Sequence, residues 1–373
     1  MTDNKERMNL RDLFLKILGC SLWGEAFDGQ LSIKEFREVL SLAEEQTVFG
    51  LVLDALKDAR VEGMEDKTPL FEAIGVMEQI KQQNRVVNAE LAEFASLCEK
   101  NGLPYVVVKG QTVGSLYPEP LLRQSGDIDF LVHGEGCMVK GFAVALGVEI
   151  PKMKEMEVGF ERYGISYELH TGLRGWAKKE HQEGWDDLID KEWQDEHYVE
   201  IGGQKVRTLS PTVNAAYIFI HLFFHFIREG VSLRQMCDWT MVLHHYKEEI
   251  DRDKLMEILL DLGMFDAYCA FGTILVDKLG LPLRELPVPI NDEDRKWQGK
   301  ILDDVFKGGN FGKLNHGDGF KFQDSRFRSL WYKLETFGVA LRNSFKYYRL
   351  CPSEVGGMIP RLVKGNLKIM LKR

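Results

Sequence analysis

No apolar run in this sequence approaches the roughly 20 residues that a membrane-spanning helix needs. The first twenty residues mix acids with bases, whereas a signal peptide carries an uninterrupted apolar core. Internal repeats and low-complexity tracts are also missing. We therefore expect a globular protein of the cytoplasm, with no membrane span.

Paired cysteines and an excess of positive charge are two further features that the chain lacks. Its 6 cysteines show no C-x-x-C spacing, which favours reduced thiols over a disulfide framework or a zinc site. The 48 Lys and Arg residues are outnumbered by 57 Asp and Glu residues, for a net charge of −9. Because binding of long nucleic acid needs a basic surface, no long nucleic acid is expected as a partner. The 373 residues suffice for two or three packed units.

Two aspartates at alternate positions of an apolar run carry the strongest chemical signal. In the run 126–132, a strand period of two places Asp127 and Asp129 on one face and Ile128 in a core. Neighbouring carboxylates repel, so such a pair usually raises one pKa or binds a divalent metal. For the tripeptide alone, the solvated face of an edge strand is the alternative.

The residues before this pair predict a strand, a glycine turn and a short helix. The valine-rich run 104–108 reads as a buried strand that ends at Lys109 and Gly110. Residues 111–116 can then form a brief helix before two prolines break the chain. Free N–H groups after Gly110 would face an anion such as a phosphate, with Lys109 nearby as a point charge.

A further carboxylate lies in the second of two strand-like runs, 155–163 and 165–170. Alternation in the second run places Glu168 on the same face as His170 and opposite Tyr167. A solvent-facing glutamate of an antiparallel hairpin is the alternative.

The residues from Lys109-Gly110 through Tyr117, Pro120 and Arg123 to the two aspartates resemble the signature of the DNA polymerase β-type nucleotidyltransferase superfamily. They are most similar to its bacterial branch of uncharacterised nucleotidyltransferases, over roughly residues 91–245. The resemblance implies an α+β protein, in which a small mixed β-sheet nucleotidyltransferase core is flanked by N- and C-terminal helical regions. Gln111 departs from the pattern, since many members have glycine or serine after the first glycine.

The resemblance also implies an activity: metal-dependent transfer of a nucleoside monophosphate from a nucleoside triphosphate, with ATP favoured, to an unknown hydroxyl acceptor. Pyrophosphate would leave. Asp127, Asp129 and Glu168 would be the catalytic residues and would hold two Mg²⁺ ions, with Mn²⁺ as a substitute. The expected nucleotide-binding residues are Lys109, Gly110, Gln111, Arg123 and Gly126. The expected acceptor pocket consists of His170, His221, His225 and Arg234.

The rest of the chain reads mainly as helices. Four regions are expected: an N-terminal helical region at 1–100, the core at 101–210, a helical region at 211–290 and a C-terminal helical region with a basic tail at 291–373. In the first, Val87, Leu91, Phe94 and Cys98 form an apolar stripe on a helix that stops near Gly102. Further predicted elements are a helix at 134–146, a hairpin at 197–209, an apolar helix at 210–230 and helices across 251–279.

Two segments carry weaker signals. Residues 176–193, mixed acidic and aromatic, predict only a loop with a helical turn. The glycine-rich run 307–312 lacks the lysine and Ser/Thr ending of a P-loop, so we expect a loop and not a phosphate cradle.

His221 and His225, four residues apart, leave a second chemistry open. Such a pair can bind zinc, but a metalloprotease needs glutamate directly after the first histidine, where this chain has Leu222. A histidine-based metal hydrolase is therefore the weaker alternative, beside an inactive relative that binds a nucleotide or a partner. Arg234 and Asp238, also four apart, predict a surface ion pair.

Overall fold

The computed structural model describes residues 2–133, 137–151, 156–173, 175–309 and 326–371. The strands are β1 (Gln30–Ser32), β2 (Arg60–Glu62), β3 (Tyr105–Val108), β4 (Ile128–Val132), β5 (Glu157–Arg162), β6 (Ile165–His170), β7 (His197–Ile201) and β8 (Gln204–Thr208). The first seven helices are α1 (Thr2–Leu22), α2 (Ile33–Glu45), α3 (Phe49–Ala55), α4 (Thr68–Asn101), α5 (Gly110–Gly114), α6 (Cys137–Leu146) and α7 (Lys179–Glu192). The remaining helices are α8 (Pro211–Arg228), α9 (Leu233–His245), α10 (Arg252–Asp261), α11 (Phe265–Asp277), α12 (Asp292–Arg295), α13 (Gln298–Gly308), α14 (Arg326–Tyr347) and α15 (Pro352–Leu371).

The predicted α+β class is confirmed: small sheets lie within a mainly helical chain. The N-terminal part also contains a parallel pair of short strands, β1 and β2, which the sequence did not predict. The apolar stripe on α4 is confirmed, since Val87, Leu91, Phe94 and Cys98 are all buried. This helix ends at Gly102, whose φ of 60° lies in the left-handed region.

The central sheet has four strands in the order β3-β4-β6-β5. Strand β4 pairs antiparallel with β3 and parallel with β6, and β5 closes the sheet antiparallel to β6. Ile128 and Phe130 pack on one face, against α4 and α6. Leu131 points to the other face and joins the helical core that contains α8. Since alternate residues of β4 face opposite ways, Asp129 lies on the α8 side of the sheet.

A buried ion pair ties α4 to the last two strands of this sheet. Arg162 on β5 contacts Glu90 on α4, and its Nη2 donates to Glu93 at 2.6 Å. The hydroxyl of Tyr167 on β6 also donates to Glu90, at 2.8 Å. Removing one partner of a buried pair leaves an uncompensated charge, so this network fixes the sheet on its helix.

Helix α8 runs through the helical core and packs against α9, α10 and α14. The predicted helix at 210–230 and the hairpin at 197–209 are both present. The prediction of a loop at 176–193 is wrong, because α7 occupies most of it. Trp185, Ile189 and Glu192 are buried on one side of α7, at helical spacing. The Glu192 carboxylate accepts hydrogen bonds from the backbone N–H and hydroxyl of Ser210, at the start of α8.

Parts of three predicted elements lie outside the described residues: the start of the helix at 134–146, the strand start at 155, and the glycine-rich run from 310 onward. The side chains of the basic tail beyond 361 also lie outside them. Among the helices described, none combines the length and apolar character needed to cross a membrane.

Candidate active site

The strand register brings the predicted carboxylates together. Asp129 on β4 pairs directly with Glu168 on β6, and Asp127 immediately precedes β4. His170 follows Glu168 by two residues, so the two side chains share a face of the sheet. Asp129, Glu168 and His170 each offer a ligand atom, and these atoms lie within 4.8 Å of one another.

Asp129 is the buried centre of this cluster, with 3% of its surface exposed. One of its oxygens lies 3.0 Å from Lys109 Nζ and 3.0 Å from His170 Nε2. Burial alone would raise the pKa of Asp129, but Lys109 and His170 outweigh it and lower the pKa to about 2. Burial would likewise lower the pKa of Lys109, and the charge of Asp129 outweighs it, so the pKa of Lys109 is raised.

For Asp127 and Glu168, the nearby cations do not outweigh burial and the neighbouring carboxylates. Burial and the charge of Asp129 raise the pKa of Asp127. Burial, followed by the charges of Asp129 and Asp127, raises the pKa of Glu168 to about 7. Both raised pKa values reflect burial as well as repulsion among the three carboxylates. The carboxylates of Asp129 and Glu168 and the imidazole of His170 could hold a divalent cation such as Mg²⁺ or Mn²⁺, which would relieve this repulsion.

An unusual backbone turn places Lys109 at the cluster. Lys109 has φ 60° and ψ −152°, and Gly110 has φ 52°. Non-glycine residues rarely adopt positive φ, and such strain is typical of functional sites. A Cβ on Gly110 would also lie 3.4 Å from the carbonyl oxygen of Asp127.

Two cavities open onto the carboxylates. The first, which we call the strand-end cavity, has a volume of about 490 Å³. Among its lining residues are Gly110, Arg123, Gly126, Asp127, Asp129 and Arg234. The second, the histidine cavity, has a volume of about 650 Å³. Among its lining residues are Glu157, His170, Tyr217, Phe224, Arg228 and Arg361. Both cavities are lined by Lys109, Glu168, His221, His225 and Glu229.

Most of the predicted nucleotide-binding residues gather in the strand-end cavity, namely Lys109, Gly110, Arg123 and Gly126. The side-chain amide of Gln111 turns away from it and donates to Asn84 and Asn88 on α4. Of the predicted acceptor residues, the three histidines line the histidine cavity, and the rings of His221 and His225 lie 4.3 Å apart. Arg234 lies in the strand-end cavity instead.

The predicted pairing of Arg234 with Asp238 is wrong. Asp238 accepts two hydrogen bonds from Arg123, at 2.6 Å from Nε and 2.8 Å from Nη2. The hydroxyl of Tyr117 donates to the same carboxylate at 2.7 Å. Arg234 turns to the carbonyl oxygen of Gln124, at 2.8 Å. Local spacing could not reveal this, because the true partners are 115 residues apart.

Glu229 is a cavity residue that the sequence reasoning missed. It lies four residues after His225 and eight after His221, and His225 Nδ1 is 3.9 Å from its carboxylate. Helical spacing from the two histidines could have found it. Arg361, which reaches the histidine cavity from α15, gave no comparable signal because it is 136 residues beyond His225 in the sequence.

Asp238→Asn should lower the free energy of unfolding by about 3–5 kcal/mol, because it leaves the Arg123 guanidinium buried without its counter-charge. Denaturant unfolding at pH 7 measures this. Asp277→Asn is the matched control, since the Asp277–Arg295 pair is partly exposed and should contribute far less. Equal midpoints for Asp238→Asn and the wild type would contradict a structural role for the Arg123 pair.

The site thus consists of carboxylates on neighbouring strands of a small mixed sheet, which lies between helical regions. The chain belongs to the family described as uncharacterised nucleotidyltransferases, whose model matches residues 33–279. The match includes both cavities except for Arg361.

Two solved structures are similar to this one. The first is the crystal structure of an antigenic nucleotidyltransferase-like protein from Paracoccidioides brasiliensis, at 13% identity and a TM-score of 0.30, over 55% of this chain and 93% of that one. The second is the crystal structure of JHP933 from Helicobacter pylori, at 16% identity and a TM-score of 0.26, over 60% of this chain and 94% of that one. No curated protein sequence matches the chain.

Proposed function

We propose that the protein is a metal-dependent nucleotidyltransferase that moves a nucleoside monophosphate from a nucleoside triphosphate to a hydroxyl acceptor. Membership of the family supports the general activity. The observation that carries the finer proposal is the in-register pairing of Asp129 with Glu168. Asp127 and Asp129 line the strand-end cavity, and Glu168 lines both cavities.

Asp127, Asp129 and Glu168 would hold Mg²⁺, and His170 offers a nitrogen within reach of the same position. When bound, the metal supplies charge compensation for the phosphates and for the attacking and leaving oxygens. Lys109, already 3.0 Å from Asp129, keeps that carboxylate ionised at neutral pH. The protein's own contribution is therefore a fixed, ionised centre with two further carboxylates around it.

The two cavities suggest separate places for the two substrates. Both volumes fall within the range of about 300–1,000 Å³ that is usual for small-molecule sites. We assign the nucleoside triphosphate to the strand-end cavity, which contains both aspartates, Asp127 and Asp129, together with Arg123 and Arg234. The acceptor is assigned to the histidine cavity, where His221 and His225 can exchange hydrogen bonds with polar groups.

In the proposed reaction, the acceptor oxygen attacks the α-phosphorus of the nucleotide. A new oxygen–phosphorus bond forms, the bond to the β-phosphate oxygen breaks, and pyrophosphate leaves. Glu168 lines both cavities, so it is placed to take the proton of the acceptor hydroxyl. Holding both substrates at one wall also removes the entropic cost of bringing them together during the reaction.

The hydrolase alternative receives less support from the structure. A catalytic zinc site needs three protein ligands. In the described part of the chain, the group of three metal-ligating side chains is Asp129, Glu168 and His170, and no such group includes His221 or His225.

A thermal-shift experiment with the four nucleoside triphosphates and Mg²⁺ tests the proposal. A ligand at a hundred times its dissociation constant stabilises the folded state by about 2.7 kcal/mol. We therefore expect at least one triphosphate, ATP foremost, to raise the melting temperature by several degrees, and only when Mg²⁺ is present. Unchanged melting for all four nucleotides at millimolar concentration would count against the proposal.

A further inference from the structure

Two arginines line the strand-end cavity, and they differ in how their donors are used. Arg123 makes a bidentate ion pair with Asp238. Arg234 donates from Nη1 to the carbonyl oxygen of Gln124, while its Nε is buried with no hydrogen-bond partner. An unsatisfied donor on a charged group is costly inside a protein. Lys109, the third strong cation of this cavity, is occupied by Asp129.

The charges around Arg234 do not compensate its guanidinium. Burial, followed by the positive charge of Arg123, lowers the pKa of Arg234, in spite of attraction from Asp238 and Asp127. Arg234 is half-buried, and a partly desolvated cation without its own counter-ion destabilises the folded state unless an anion binds beside it. The strand-end cavity beside Arg234 is where such an anion would be accommodated.

Arg234 is also held firmly. It is the second residue of α9, whose start is fixed by a capping box between Ser232 and Gln235. The backbone N–H of Leu233 donates to the side chain of Gln46. These contacts fix the backbone from which the Arg234 side chain extends.

We propose that Arg234 binds the β- and γ-phosphates of the nucleoside triphosphate and thereby selects triphosphates over monophosphates. A guanidinium matches two phosphate oxygens at once, which an ammonium cannot do. Arg123 then has a different role. Its pair with Asp238 stabilises the wall of the strand-end cavity, and its charge makes the electrostatic potential there more positive. The proposal rests on the proposed function, because it places the nucleotide in the strand-end cavity.

Calorimetric titration of Arg234→Gln tests the proposal, with ATP, AMP and inorganic tripolyphosphate as ligands and Mg²⁺ present throughout. We expect the variant to bind ATP and tripolyphosphate at least about tenfold more weakly and AMP within about twofold of the wild type. Arg234→Lys should recover only part of the loss. Arg295→Gln is the matched control, since Arg295 pairs with Asp277, lines neither cavity and should leave tripolyphosphate affinity unchanged.

A second readout separates binding from a structural role. If Arg234 is an uncompensated cation, Arg234→Gln should raise the melting temperature of the ligand-free protein, whereas loss of a structural residue would lower it.

The outcomes also separate this proposal from the proposed function. If the wild type binds ATP and Arg234→Gln binds it equally well, the proposed role of Arg234 is wrong, but the nucleotide site stands. If the protein binds tripolyphosphate through Arg234 but binds no nucleotide, the anion site stands and the proposed function is wrong. A wild type that binds neither ligand contradicts both.

Discussion

Asp127→Asn and Asp129→Asn should both abolish Mg²⁺-dependent nucleotide binding while changing the stability of the metal-free protein in opposite directions. Each variant removes one carboxylate from a cluster proposed to hold the metal. Their surroundings differ, however. Asp129 contacts Lys109 and His170, whereas the pKa of Asp127 is raised by burial and by Asp129.

The size of the Asp129 effect follows from its pKa. A fall from 3.8 to about 2 corresponds to about 2.5 kcal/mol of stability, at about 1.4 kcal/mol per unit. A carboxylate with a lowered pKa stabilises the folded state above its unfolded value and loses that contribution as the pH falls toward 2. At pH 7 the contribution is complete, so Asp129→Asn should lower the free energy of unfolding by about 2.5 kcal/mol.

Asp127→Asn should raise the free energy of unfolding, because it removes a carboxylate whose ionised form is disfavoured at pH 7. Denaturant unfolding in the presence of a chelator measures both shifts, and calorimetric titration with Mg²⁺ and ATP measures binding. Retention of Mg²⁺-dependent binding by both variants would show that the pair is structural. Shifts of the same sign would contradict the charge distribution described for the cluster.

Glu168→Gln should separate nucleotide binding from turnover. Nucleotide affinity should stay within a few-fold of the wild type, because we propose that the two aspartates and the cations of the strand-end cavity contribute most of the triphosphate binding. The rate of pyrophosphate release should fall by at least about a hundredfold, since Glu168 is proposed to act on the acceptor oxygen as charge develops.

Glu157→Gln provides the control for this experiment. Glu157 also lines the histidine cavity, 3.8 Å from His170 Nδ1, but it is mostly exposed and is not part of the cluster of three. It should keep a rate within a few-fold of the wild type. If Glu168→Gln were as active as Glu157→Gln, the catalytic role of Glu168 would be wrong.

Strand alternation was sufficient to predict which side chains share a face. It placed Asp127 and Asp129 opposite Ile128, and Glu168 beside His170, because successive strand residues point to opposite sides. Alternation could not predict that β4 pairs with β6 as parallel neighbours in the sheet. That register depends on which strands pair across about forty residues, and it is the register that sets Asp129 opposite Glu168.

Other features depended on contacts between distant segments. Asp238 was expected to pair with Arg234, four residues away, but Arg123 lies closer in space and binds it with two donors. Helix α7 was missed because its many acidic residues obscured the helical spacing of its buried apolar residues, Trp185 and Ile189, which are four positions apart. Local sequence patterns thus predicted most helices and strands and which side chains share a face. The hydrogen-bond and ion-pair partners depend on packing between distant segments, which local patterns do not show.

Release of pyrophosphate is the measurement that tests the central claim most directly. Wild-type protein would be incubated with γ-labelled ATP, Mg²⁺ and a pool of small molecules and RNA from cell extract, with Asp127→Asn as the blank. We expect labelled pyrophosphate from the wild type, none above background from Asp127→Asn, and none when Mg²⁺ is removed by a chelator. Binding of ATP by the wild type without pyrophosphate release from any acceptor pool would contradict the assignment as a nucleotidyltransferase.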